Sequence, residues 1–279
     1  MDVKAILREQ LNGDGLRAFG LKGCIDMYRA TGDGEYREAA LQALNSLLSP
    51  EGELRHTALP DIAFVGKALL FGWTETENER FKTEAGKVRD MLRASDLTTP
   101  LGLYATRPFI VEYDTRFGDK QSYKAVARQF ELAVHNEPPF YLRAGSLPED
   151  KALCSLERAG YMLMALVDTA EKMDMQIYEH YRTLIDLFLE IVRELLPYRK
   201  HSLFSAEITN ADREPDAAGN AMIVYALLKG VRLGLLDEEK YLPIARQMIH
   251  ALNACRGWEH ENPGLALMTQ AEIQEVENQ

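Results

Sequence analysis

The chain has 279 residues, 46% of them apolar and 27% charged, with a net charge of −11. That is enough for one large domain or two ordinary ones, in a balance ordinary for a globular protein. The excess of acid argues against a nucleic-acid or anionic-membrane surface, and the longest apolar run, Ala221 to Leu228, is far short of a membrane span.

The first residues, "MDVKAILREQLNGDG", hold no apolar core of signal-peptide length. Cys24, Cys154 and Cys255 are far apart and odd in number, which argues against a disulfide framework and suits a reducing compartment. A cytoplasmic protein is expected. "GLKGCIDMYRATGDGEYREAALQALNSLL" then gives an apolar helix, a Thr-Gly-Asp-Gly turn, and Tyr36, Ala40, Ala43, Leu44 and Leu47 in helical register. "DIAFVGKALLFGWTETENERFKTEAGKVRDML" repeats the pattern with Phe81, Ala85, Val88 and Leu92. "RPFIVEYDTRFGDKQSYKAVARQFELAV" repeats it with Tyr123, Val126, Ala127, Phe130 and Val134. "RAGYMLMALVDTAEKMDMQIYEHYRTLIDLFLEIV" does so with Tyr181, Leu184, Ile185, Phe188 and Val192. The last repeat, residues 216–252, puts Tyr241, Ile244, Ala245, Met248 and Leu252 on one stripe; Pro243 is expected in the first turn of its second helix, where a missing N–H costs nothing.

The aromatic anchors at 36, 81, 123, 181 and 241 mark five helical hairpins of related length, the signature of stacked pairs. In each pair the first helix is apolar all round and the second on one side only. An open stack would leave the first helices partly wet. A closed ring buries them, with the amphipathic helices as an outer layer. Residues 2–11 and 263–277 can each add a helix, which gives twelve. Only "PFYLRAG" and "SLFSAEI" suggest brief strand pairing, and no linker divides the chain, so a single all-α domain over 1–279 is expected.

In such a ring the longer links, residues 49–60, 93–102, 136–152 and 197–215, gather at one end with the N-termini of the apolar helices. Those N-termini favour an anionic ligand. Asp61, Glu157, Arg158, Tyr161 and Asp216 fall at or near them, although an acid in a first turn is often only a cap. The six histidines form no HExxH or other i,i+4 pair, the cysteines form no CxxC, and no phosphate loop follows a strand, so neither metal nor cofactor is expected.

Four segments in order resemble the unsaturated rhamnogalacturonyl hydrolases of glycoside hydrolase families 105 and 88. "NAMIVYALLKGVRLGLL" is similar to their Tyr-Ala-Leu-x-Lys-Gly-x-Arg-x-Gly-x-Leu signature through Tyr225, Lys229, Gly230, Arg232 and Gly234. "GYMLMALVD" resembles their Gly-Trp-x-x-Met-Ala-Leu-x-Asp, with Tyr161 for Trp. "LGLYATRPFIVEY" and "PDIAFVGKALL" resemble two further motifs. The resemblance implies an (α/α)6 barrel and a carbohydrate ligand, a pectin-derived oligosaccharide ending in an unsaturated uronyl residue. In that family two aspartates hydrate the double bond. Here Leu101 and, by the best alignment, Gly145 stand in their places. A divergent hydrolase is one expectation, with Glu157 and Asp61 as substitute catalytic acids and Arg158, Tyr161 and Asp216 as substrate contacts. The alternatives are a barrel that binds sugar or protein without catalysis, and a barrel with a filled centre.

Overall fold

The computed structural model describes residues 4–5, 18–55, 61–95, 97–118, 120–135, 155–210, 212–255 and 257–279, the side chains of Ala18, Asp61 and Ala63 excepted. They group into two compact units, Met1–Asp96 with Gly257–Gln279, and Leu97–Arg256. Secondary structure among them is helical apart from isolated bridges such as Ser155 with Glu207 and Ser205 with Pro215. "PFYLRAG" and most of residues 2–11 lie outside the described part.

In the first unit, α1 (Ala18–Thr31) and α2 (Gly34–Ser46) form one hairpin, and α3 (Asp61–Thr76) and α4 (Glu79–Arg93) the next. Asp33 and Asn78 cap α2 and α4 by accepting hydrogen bonds from Glu35 N–H and Arg80 N–H. The outer helices bury the predicted stripe: Tyr36, Ala40 and Leu44 on α2, and Phe81, Ala85, Val88 and Leu92 on α4. The C-terminal segment forms α11 (Trp258–Glu261) and α12 (Pro263–Glu277), and α12 packs along α1. A Cβ on Gly264 would lie 2.4 Å from the Phe19 carbonyl carbon, so the two backbones touch there.

The second unit holds α5 (Pro100–Phe117), α6 (Ser122–Val134), α7 (Leu156–Lys172), α8 (Tyr178–Leu195), α9 (Ala217–Arg232) and α10 (Glu238–Ala254). Helix α7 packs between α5 and α9, and these three are buried along nearly their whole length. For α7 and α9 that burial follows from long apolar runs, residues 162–167 and 221–228, whereas α5 also takes Thr106, Arg107, Glu112 and Asp114 inside. On these helices Phe109, Leu163, Ala165, Met222 and Tyr225 are buried, as is Leu69 on α3 of the first unit. Helices α6, α8 and α10 cover α5, α7 and α9 with one apolar face each, for example Leu184, Phe188, Ile191 and Leu195 of α8. Tyr181 is the one anchor that is only half-buried.

One local expectation is corrected. Pro243 is in the second turn of α10, because Asp237 accepts a hydrogen bond from Lys240 N–H and starts the helix at Glu238. Pro243 is exposed, which keeps the lost N–H bond on the wet face. At the other end of the hairpin, Gly234 takes φ +69° just past α9, the left-handed position that lets the chain leave a helix without strain.

Candidate functional site

Helices α7 and α9 cross closely near their starts. A Cβ on Gly160 would lie 2.7 Å from Met222 Cβ, and one on Gly219 would lie 2.9 Å from Leu156 Cγ. Glycine at both positions lets the two N-termini approach each other. Ser155 caps α7 by accepting from Arg158 N–H, and Asp216 caps α9 by accepting from Ala218 and Gly219 N–H. The loop 199–215 ties the two ends together. Its Ala206 carbonyl accepts from Leu156 N–H at 3.0 Å. The buried Asn220 side chain accepts from Phe204 N–H at 2.9 Å and donates to Phe204 O at 2.8 Å, a double bond to loop backbone.

Four of the five candidate residues stand on this platform. The Tyr161 hydroxyl hydrogen-bonds to the Glu157 carboxylate one turn earlier on α7. Burial first, then the charge of Glu157 and its hydrogen bond, then the charge of Asp216, push the Tyr161 phenol well above its ordinary range. It is therefore a neutral donor at any physiological pH. Glu157 itself is exposed, and Asp216 is half-buried with its carboxylate engaged as a cap. The buried Tyr104 of α5 places its ring 6.0 Å from that of Tyr161 and backs it. Arg158 is half-buried, and its Nε is fully covered without a hydrogen-bond acceptor among the described residues. Such an atom is rare in a folded protein and suits a ligand oxygen. Asp61 is the first residue of α3 in the other unit, and its side chain lies outside the described residues. Gly145 and Phe140 also lie outside them. Leu101 is in the first turn of α5 and 39% exposed.

The opposite ends of the same helices carry a second polar group that spacing alone did not reveal. Asp168 on α7 accepts from Tyr225 Oη and Lys229 Nζ on α9, both at 2.7 Å. Lys229 also pairs with Glu171 at 3.0 Å, and Glu171 with Arg232 at 2.7 Å. Burial works against the charge on Glu171, but Lys229, Lys172 and Arg232 outweigh it and the repulsion of Asp168, and hold the carboxyl well below the usual range. The signal was a carboxylate and a lysine inside helices otherwise apolar on every side. Tyr225, Lys229, Arg232 and Asp168 all belong to the motifs that carry the family resemblance, so a large part of that signature is a lock between α7 and α9.

Among the described residues no three His, Cys, Asp or Glu side chains converge as a metal site would require, and no helix is long and apolar enough to cross a membrane. Burial pushes the Cys24 thiol up to about 12, which leaves it protonated and unreactive.

The chain is similar to a Clostridium acetobutylicum glycoside hydrolase of family 105, at 21% identity and a TM-score of 0.73, over 88% of this chain and 81% of that one. A Salmonella enterica protein described as a possible member of family 105 gives 12% identity and a TM-score of 0.76, over 99% and 93%. A family 88 glycosyl hydrolase from Bacteroides vulgatus gives 11% and 0.70, over 89% and 84%. No curated protein has a matching sequence. At these identities the likeness shows the fold, and the all-α, (α/α)6 class expected from the sequence is borne out. The model of Glycosyl Hydrolase Family 88 matches residues 16–271, nearly the whole length, and the chain belongs to that family.

Proposed function

We propose that the protein acts on oligosaccharides that end in an unsaturated uronyl residue, and that this residue sits at the starts of α7 and α9. The observation that carries the reading is the covered Arg158 Nε, which has no acceptor among the described residues, beside the Tyr161–Glu157 pair. A uronate carboxylate offers that Nε an acceptor, through a charge-assisted hydrogen bond. The Tyr161 ring, backed by Tyr104, offers a flat face to the sugar. Hydration of the double bond needs a group that delivers a proton to carbon and directs a water. Glu157 is the exposed carboxyl in reach, and the Tyr161 hydroxyl fixes its orientation. Asp216 adds negative charge near the sugar while it caps α9. Family membership supports the reaction class.

The test is the ultraviolet absorbance of the conjugated double bond in an unsaturated rhamnogalacturonan disaccharide. Turnover by the wild type is expected to fall about 10²- to 10⁴-fold in Glu157→Gln, the usual worth of general acid–base help. Turnover unaffected by that change would assign the chemistry to another group. A second reading, binding without turnover, draws on Leu101, a side chain without a proton where the resemblance implies a supporting acid. It predicts saturable disaccharide binding, weakened by Arg158→Ala, with no loss of absorbance.

A further inference from the structure

A cleft of about 330 Å³ lies against residues 198–205, 213 and 215. Its walls carry Lys200, His201 and Arg213 as cationic or protonatable groups, and Tyr198, Leu203 and Pro215 as apolar surface. The size is at the small end for ligand sites and suits one or two sugar rings.

Both walls are built rather than loose. Lys200 and Leu203 form an antiparallel bridge, and the Arg199 guanidinium donates to Ser202 O at 3.3 Å and to Gln247 Oε1 of α10 at 2.8 Å. The tight turn holds His201 at φ +58°, a left-handed conformation that costs a non-glycine residue of order 1 kcal/mol and persists only where the surroundings fix it. On the other wall Ser205 bridges Pro215, and Ala206 N–H donates to Glu214 O at 3.0 Å. The Ser205 hydroxyl lies 2.7 Å from Glu207 O and 2.8 Å from Asn210 O, so it donates inward and keeps its lone pairs for a partner. Among the described residues Lys200 and His201 have no ion pair. Arg213 has a long one, 3.6 Å to Glu207, between two well-exposed side chains, which is weak and easily shared.

A concentration of positive charge on a chain of net charge −11 points to an anionic ligand. The exposed Tyr198 ring beside it points to more than a bare anion, because a ring face matches the C–H face of a sugar. We infer that this cleft is an accessory subsite for a uronate residue of an acidic oligosaccharide, distinct from the Arg158 site. The inference rests on the proposed substrate class, and it concerns residues outside that site. Lys200 and Arg213 take the carboxylate, Tyr198 stacks on the ring, and Ser205 accepts from a hydroxyl.

The probe is saturated trigalacturonate, which has no unsaturated end, titrated into the full chain by calorimetry, with neutral galactotriose and inorganic phosphate as controls. Saturable trigalacturonate binding is expected. It should weaken about tenfold or more in the double variant Lys200→Glu/Arg213→Glu and fall in Tyr198→Ala, with Arg158→Ala unchanged. Galactotriose should bind measurably more weakly. No saturable binding, or equal binding by the double variant, overturns the inference. Phosphate binding as tight as trigalacturonate, with Tyr198→Ala silent, reduces the cleft to a simple anion site and also overturns it. Loss in Arg158→Ala alone overturns the cleft and leaves the proposed function standing. Loss in the cleft variants, with neither turnover nor binding of the unsaturated disaccharide, does the reverse.

Discussion

The two ends of the α7–α9 pair use the same kinds of side chain to opposite effect. At the C-terminal end Asp168, Tyr225, Lys229, Glu171 and Arg232 satisfy one another within 2.7 to 3.0 Å. At the N-terminal end Glu157 faces water and Arg158 Nε is covered without an acceptor among the described residues. Buried charge is expensive, and a structure tolerates it only when it is paired and hydrogen-bonded. The closed end therefore reads as a joint, and the open end is the ligand site proposed above. The family-like motifs span both, so matching them does not by itself separate residues that hold the helices from residues that meet a ligand.

The largest effect is expected from breaking the joint. Lys229→Met leaves two carboxylates without their shared cation and should cost about 3–5 kcal/mol, the usual penalty for removing one partner of a buried pair. The midpoint of urea unfolding measures it, and a loss under about 1 kcal/mol would show that the network is incidental. Arg158→Ala is the contrasting change. Its stability should move by no more than about 0.5 kcal/mol, while binding of an unsaturated uronyl disaccharide weakens by about 1.5–3 kcal/mol, the worth of a hydrogen bond to a charged group. A large stability loss would place Arg158 with the structural residues instead.

Gly160→Ala lies between the two. The added Cβ meets Met222 Cβ at 2.7 Å, and this is not a flexible end that can swing away. Overpacking of about 1–3 kcal/mol is partly offset by the gain of about 1 kcal/mol in helix propensity, so a net loss of about 1 kcal/mol is expected in thermal or urea unfolding. An unchanged midpoint would mean that the helices separate freely there.

The mildest probe is acid. The folded-state carboxyl of Glu171 is held below its unfolded value, so its contribution is fully present above the unfolded pKa, about 4.3, and is lost as pH falls through the folded one. Stability from this group should be flat from neutral pH down to about pH 5 and decline below that. Glu171→Gln should flatten the decline. A wild-type profile that already falls between pH 7 and 5 through this residue would contradict the assigned pairing.

Much of this molecule is a property of the chain read locally. The repeat of three and four residues determined the outer stripes at Tyr36, Phe81, Tyr123 and Tyr241, and the long apolar runs determined that α7 and α9 are buried, because both depend only on helical period and on apolar surface leaving water. The cap at Asp216 and the placing of Glu157, Arg158 and Tyr161 in the first turns of α7 were legible for the same reason. Tertiary structure alone decided how partners 57 or 61 residues apart meet, as Tyr225 and Lys229 meet Asp168. Those contacts depend on the relative register of two helices, which the close approaches at Gly160 and Gly219 set and no local pattern encodes. The cationic cleft was hidden likewise: Lys200, His201 and Arg213 converge only because loop 199–215 folds back on itself through its bridges and through the Asn220 clamp. Long-range hydrogen bonds and glycine-sized gaps, rather than the charge pattern along the chain, put those groups in one place.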